Sequence, residues 1–199
     1  MVERQLRRRG IDDERVLAAM EEVPRELFLP EGQRGRAYRD GAVRIGEGQT
    51  MSQPWIVACM AQLLELEGSE TVLEVGTGSG YGAAVLSRLC REVVTIERYE
   101  SLAVQAEQVL HELGYDNVVV GVGDGSLGAP ERAPFGGISV TATAQDRPPD
   151  ALFDQLAPGA ALVCPVERDG RELLMRFRDG REEPITGVRF VPLVCEDEP

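Results

Sequence analysis

A chain of 199 residues with 43% hydrophobic content is long enough for one well-buried domain, and no run of about twenty apolar residues offers a membrane span. Its formal charge of −13 argues against nucleic acid or an acidic membrane as partner, because phosphate binding needs a basic surface, and the cluster Arg7, Arg8 and Arg9 is too short to reverse this. All 21 basic residues are arginine, a bias that a salt-rich cytoplasm and a GC-rich genome explain equally well.

Charge at the N-terminus, where a signal peptide needs an apolar core, predicts a cytoplasmic protein, and a lone domain without a clear exposed apolar stripe predicts a monomer. Cys59, Cys90, Cys164 and Cys195 show no C-x-x-C spacing. They read as small core residues rather than disulfide partners or zinc ligands, and no metal is expected.

Residues 1 to about 30 read as a cap of short helices, with Leu6, Val16, Leu17 and Met20 at helical spacing and closures at Val23-Pro24 and Leu29-Pro30. From 33 to 54 the chain is glycine-rich and polar, and a loop of that length is usually functional or disordered. Helical periodicity returns over 55–66. Strands and helices then alternate: strand 72–75, helix 80–90, strand 92–97, helix 101–113, strand 117–122, strand 137–142, helix 150–156 and strand 160–166. Two further runs, 172–178 and 188–194, surround a polar link at 179–184 and suit antiparallel strands at a sheet edge. This order predicts one α/β domain with a Rossmann-like, doubly wound, mainly parallel sheet. Its parts are a cap and long loop (1–54), a core (55–166) and edge strands (167–199).

The most informative segment is Val72-Leu73-Glu74-Val75-Gly76-Thr77-Gly78-Ser79-Gly80-Tyr81-Gly82. It predicts a strand, a tight turn in which Gly76, Gly78 and Gly80 lack Cβ atoms, and a helix. In an open α/β sheet the crevice beyond such a strand end is the usual ligand site, and the backbone can approach the ligand closely there. Glu97 ends the next apolar run, where a carboxylate can accept hydrogen bonds from two ribose hydroxyls. Gly123-Asp124-Gly125 ends the third, where an acid suits an adenine amino group. Three consecutive strand tips therefore predict a nucleoside. A dinucleotide fold shows nearly the same grammar, and Asp-Gly is also an ordinary turn dipeptide. Glu74 ahead of the first glycine gives Glu-x-Gly-x-Gly-x-Gly, which resembles the first motif of S-adenosylmethionine-dependent methyltransferases.

Methyl transfer from a sulfonium to an acceptor that is already an anion needs placement rather than a base, and placement can supply roughly 7–11 kcal/mol of the barrier. The only histidine, His111, lies in a helical stretch and reads as a solvated side chain. A carboxylate acceptor, ionised from a pKa of about 4, fits that composition.

Further segments are far more specific. Ala37-Tyr38-Arg39-Asp40, Gly48-Gln49-Thr50-Met51-Ser52-Gln53-Pro54, Ala133-Pro134-Phe135, Val140-Thr141-Ala142 and Val188-Arg189-Phe190-Val191-Pro192-Leu193, together with the glycine turn, resemble the protein-L-isoaspartate O-methyltransferase family over nearly the whole chain. The resemblance implies S-adenosylmethionine as cofactor and, as partner, damaged proteins or peptides whose isoaspartyl α-carboxyl is methylated for repair. Carried over by position, it implies that Ser52 is the active-site serine, with Gln49, Thr50 and Met51 beside it lining the pocket for cofactor and substrate. Glu74, Gly76, Thr77, Gly78 and Gly80 would hold the cofactor at the first strand. Glu97 and Arg98 would do so at the second, Asp124 and Gly125 at the third, and Thr141 at the fourth. Ser52 equally suits a helix N-cap before Pro54, and the two roles are compatible.

The chain departs from the family pattern in several places. Gly136-Gly137 stands where an aspartate usually begins the fourth strand, which predicts a weak strand start and the loss of a cofactor-side or structural carboxylate. Arg44 replaces a usual proline and Glu47 a frequent histidine. The segment 125–131 lacks a tryptophan often seen there, and the tail after Leu193 is short. These changes keep open a paralogue that methylates another carboxylate, and a cofactor-binding protein without turnover. An NAD-dependent oxidoreductase lacks any evident proton relay here.

Overall fold

In a computed structural model, residues 1–195 are described; the last four residues of the tail lie outside the described residues. An eight-stranded sheet is built from β3 (Thr71–Val75), β4 (Glu92–Glu97), β5 (Val118–Val122), β6 (Phe135–Val140), β7 (Ala144–Gln145), β8 (Leu156–Arg168), β9 (Arg171–Arg178) and β10 (Arg181–Gly187), while β1 (Val43–Arg44) and β2 (Thr50–Met51) form a small separate ladder. The main order is β10-β9-β8-β6-β3-β4-β5, with β7 paired to β8. Pairings from β5 through β8 are parallel, and those of β8 with β9 and β9 with β10 are antiparallel. The chain runs outward from β3 to β5 and then returns to place β6 on the other side of β3. That reversal opens a crevice at the carboxyl end of β3.

Helices α1 (Glu14–Glu22), α2 (Pro54–Leu63), α3 (Tyr81–Leu86), α4 (Glu100–Glu112) and α5 (Asp150–Phe153) connect or cover these strands. Alternation within β3 divides the core: Val72 joins a cluster with Leu17, Met20, Ala84 and Val93, whereas Leu73 and Val75 join one with Phe135, Ile138, Leu152 and Leu162. Glu74 shares the Val72 face, as the period of two requires. The predicted cap is present as short turns around α1, with Leu6, Val16, Leu17 and Met20 all buried, and Asp13 caps α1 by accepting the N–H groups of Arg15 and Val16. His111 is exposed on α4, as expected, and Cys59, Cys90 and Cys164 are buried.

Two expectations fail. The second antiparallel edge strand is β10 rather than 188–194. Arg178 pairs with Arg181 across Asp179-Gly180, both residues at positive φ (49° and 71°), so the supposed polar link is a two-residue hairpin turn followed by a polar edge strand. Residues 188–194 instead run beside the crevice, with Thr143 and Pro192 in a parallel bridge. The second expectation concerns the glycine pair: the register against β8 does shift between Phe135 and Gly137, but the carboxylate the pair lacks is not a cofactor-side one. β6 begins ahead of the pair, at Phe135, and the space a Cβ would take on Gly136 is filled by the Glu70 side chain. Gly136 and Gly137 lie at the amino end of β6, away from the crevice, so an aspartate there would not face a ligand in it.

Candidate functional site

The crevice holds a cavity of about 590 Å³, within the range of small-molecule sites. It is bordered by the β3 to α3 turn, the strip running from β2 into α2, the tips of β4, β5 and β6, and the C-terminal segment after β10.

The glycine turn owes its shape to two close approaches. Gly76 has φ of 93° and lies against Thr141, whose hydroxyl donates to the carbonyls of Val75 (3.0 Å) and Gly76 (2.8 Å); a Cβ on Gly76 would collide with that hydroxyl. Thr141 thus fixes the end of β3 while its residue borders the cavity. Gly80 has φ of 85°, a left-handed conformation that favours glycine. It is buried and absent from the described cavity lining, and a Cβ there would press on Leu110 (3.2 Å) and Ala106 (3.3 Å) of α4. Its lack of a side chain serves helix packing.

Glu97 ends β4 at the cavity. One carboxylate oxygen accepts the N–H of Gly78 at 2.9 Å, and the other accepts the N–H of Tyr99 at 3.0 Å. Each oxygen keeps a second lone pair, so the group can still accept two hydroxyl donors. The exposed Arg98 and the half-buried Tyr99 stand beside it on the cavity wall.

Glu74 is buried between neighbouring strands, with Thr95 and Ser139 opposite it in register, and it borders the cavity from beneath. Thr95 donates to its Oε2 at 2.8 Å and lies 2.7 Å from the Thr77 hydroxyl. Burial pushes its carboxyl up to about 8, the Thr95 hydrogen bond opposes the rise, and the charge of Glu97 adds to it. Glu74 therefore holds its proton at neutral pH.

Gln49, Thr50, Met51 and Ser52 face this turn across the cavity. The N-cap of α2 is Gln53, without a side-chain cap bond, so Ser52 precedes the cap and does not make it. Among the described residues the Ser52 hydroxyl has no hydrogen-bond partner. Arg44 and Glu47 are exposed and do not border the cavity in the described structure; Glu47 instead accepts the Ser101 hydroxyl at 2.8 Å, fastening the β1–β2 loop to α4. At the third tip Gly125 borders the cavity and Asp124 does not. Asp124 caps a short turn by accepting the N–H of Ser126 at 2.8 Å, the part an Asp-Gly turn predicts.

The C-terminal wall was missed as a wall because 188–194 reads as a strand. It is held by Glu172, which accepts the N–H of Phe190 at 2.5 Å on its carboxylate and that of Val188 at 3.0 Å on its carbonyl, and by Thr143, which exchanges backbone bonds with Val191 and Leu193 (both 2.8 Å). Its valines, phenylalanine and leucine make much of that side of the cavity apolar, with Arg189 as the one charged residue of the stretch in the lining.

A family model described as protein-L-isoaspartate(D-aspartate) O-methyltransferase matches residues 1–198. Protein-L-isoaspartate O-methyltransferase 1 of Syntrophobacter fumaroxidans is 51% identical over 199 residues, covering 98% of this chain and 92% of that one. Protein-L-isoaspartate O-methyltransferase 2 of Pelobacter propionicus is 52% identical, covering 98% and 88%. A solved protein-L-isoaspartate O-methyltransferase superposes with a TM-score of 0.83 at 30% identity, covering 96% of this chain and 65% of that longer chain. A structure from Plasmodium falciparum, described as a putative protein of the same name in complex with S-adenosyl-L-homocysteine, superposes with a TM-score of 0.80 at 27% identity and covers 94% of each chain. Motifs, sheet order and similarity agree, and the chain belongs to the protein-L-isoaspartate(D-aspartate) O-methyltransferase family.

Proposed function

We propose that the protein methylates the α-carboxyl of L-isoaspartyl residues in damaged proteins and peptides, with S-adenosylmethionine as methyl donor. The observation that carries this reading is that Ser52, its hydroxyl unpartnered among the described residues, lines one cavity with the glycine turn and Glu97, and that His111 is not in the lining. The donor set fits the cofactor. Glu97 retains one free lone pair on each oxygen for the two ribose hydroxyls, Gly76 and Gly78 present backbone without side-chain bulk beside it, and Thr77 engages its hydroxyl with Thr95. Gln49, Thr50, Met51, Arg98, Gly125 and Thr141 supply the remaining polar and apolar wall. When bound, the cofactor supplies a sulfonium-activated methyl group.

The chain's own work is then placement. An isoaspartyl carboxylate is ionised at neutral pH and needs no base. The Ser52 hydroxyl donates to one carboxylate oxygen and turns the other toward the methyl group. Hydrogen bonds that orient an acceptor in this way act by holding a near-attack geometry. Ser52 has no evident activator as a nucleophile, so it remains a donor throughout. The apolar segment 188–194 shields the acceptor from water, and its backbone edge offers an extended peptide a surface that does not read sequence.

Esterification makes the misplaced carboxyl a good leaving group, after which succinimide closure and reopening regenerate some normal linkage. A net charge of −13 supports a protein that engages neither nucleic acid nor membrane, and no helix among the described residues is long and apolar enough to cross a membrane. The reading includes a monomer acting in the cytoplasm. The reading of a divergent acceptor loses its motive, since Arg44 and Glu47 stand outside the lining. Transfer of labelled methyl to an isoaspartyl peptide and its aspartyl twin tests the proposal. Selective labelling of the isoaspartyl peptide is expected, and equal labelling or none, with cofactor bound, would overturn it.

A further inference from the structure

Arg25 is the largest side chain that the fold buries completely, and no carboxylate pairs with it among the described residues. An unpaired buried charge is costly, and apolar residues of similar volume fill such places at lower cost. The guanidinium is held by carbonyls. Nε donates to Ala37 O at 2.7 Å, Nη2 donates to Ser52 O at 2.5 Å, and the group lies 4.6 Å from the ring centroid of Tyr81. Nη1 is buried without an acceptor. Burial pulls its pKa down and the phenol groups of Tyr81 and Tyr38 oppose this, but a guanidinium keeps its charge in a protein.

These contacts converge on the site from outside it. Ser52 is the residue whose hydroxyl is free at the cavity and whose carbonyl is gripped, while Tyr81 opens α3 directly after the glycine turn and also borders the cavity. Ala37 begins the segment whose Asp40 accepts a hydrogen bond from the Gln53 side chain, a second tie between the same two stretches. A planar fork can span two carbonyls and stack on a ring at once, which a lysine ammonium cannot.

We infer that Arg25 is a positioning residue that fixes the Ser52 backbone relative to the glycine turn, so that the serine hydroxyl meets the acceptor carboxylate. The activity arm of this inference rests on the isoaspartyl methyl-transfer reading; its structural arm does not. Arg25 touches neither substrate nor cofactor.

The test compares the full-length protein with Arg25→Lys in two readouts. In hydrogen exchange, peptides covering 49–54 should lose protection while those covering β3 and β4 keep theirs. In methyl transfer, kcat/KM for an isoaspartyl peptide should fall on the order of 10- to 100-fold. The same substitution made on a Ser52→Ala background should cost less than about twofold, because its route through the serine is already closed. Unchanged exchange at 49–54, exchange raised across the whole sheet, or an undiminished loss on the Ser52→Ala background would each overturn the inference. If the wild-type protein fails to methylate the isoaspartyl peptide, the functional reading falls, and the exchange pattern alone still decides the role of Arg25. Arg25→Met, which keeps the volume and removes the donors, takes the place of the lysine variant should that one not fold. Loss of fold in both would overturn a role confined to Ser52.

Discussion

The carboxylate of Glu97 accepts the backbone N–H of Gly78 at 2.9 Å, so the tip of the second strand holds the glycine turn that ends the first. The same group offers its remaining lone pairs to the cavity. Glu97→Ala should therefore weaken cofactor binding by about 1.5–3 kcal/mol, roughly 10- to 100-fold, through lost acceptors and a loosened turn. Glu97→Gln should be nearly as damaging, because the two backbone N–H groups bond to different oxygens and an amide would turn its NH2 donors toward one of them. Calorimetric titration with S-adenosylhomocysteine checks both, and unchanged affinity in either would remove Glu97 from this role.

Ser52→Ala should show the opposite pattern. The hydroxyl neither caps α2 nor bonds to another described group, so its removal leaves the protein's own structure intact. We expect kcat/KM for an isoaspartyl peptide to fall by about 1.5–3 kcal/mol in barrier, with cofactor affinity and melting temperature nearly unchanged. Equal loss of affinity and transfer in steady-state and binding measurements would make Ser52 chiefly structural.

Glu74 makes stability depend on pH in an unusual direction for a carboxyl. Its folded pKa of about 8 exceeds the ordinary 4.5, so between these values the folded chain holds a proton that the unfolded chain has lost. Its contribution is full below about 4.5 and is lost as pH rises toward 8, with a slope of up to about 1.4 kcal/mol per pH unit. Glu74→Gln lacks that slope. Chemical denaturation of both proteins from pH 5 to 8, without cofactor, should find the variant gaining on the wild type as pH rises; parallel curves would contradict a protonated Glu74.

Gly136→Asp restores the acidic residue usual in the family and should not help this chain. A Cβ at that position lies 2.5 Å from Glu70 Cγ, and Glu70 is itself anchored by the N–H groups of Glu67 and Gly68. Overpacking of this kind costs about 1–3 kcal/mol, and two carboxylates would share the space. Thermal melts should record the loss, with methyl transfer unaffected below the transition. A stabilised variant would mean that Glu70 moves aside freely.

The parallel core was legible because short apolar runs end in glycine or acid at each strand tip, a pattern that leaves few alternatives to a crevice there. The edge was misread for a local reason. Asp179-Gly180 is a two-residue hairpin signal in its own right, but the polar strand after it lacks the apolar alternation that marks a half-buried strand, so the more apolar 188–194 took its place. That segment's position beside the cavity depends on Glu172 and Thr143, which meet it only in the folded chain. Side-chain direction was the other gap. Arg44 and Glu47 sit eight and five positions from Ser52 in sequence, yet both are exposed, Arg44 on the β1–β2 ladder and Glu47 in the loop between its strands. Arg25 carries no motif that marks it, and its contacts with Ala37, Ser52 and Tyr81 form only in the folded chain.

The central claim is repair of an isoaspartyl linkage. Its most direct test follows an isoaspartyl peptide incubated with the protein and S-adenosylmethionine, resolving the isoaspartyl, methyl ester, succinimide and aspartyl forms by chromatography and mass spectrometry. The account predicts that the α-carboxyl ester appears first and that aspartyl peptide accumulates from it, while Ser52→Ala forms little of either. A peptide that stays isoaspartyl while the cofactor is demonstrably bound would contradict it.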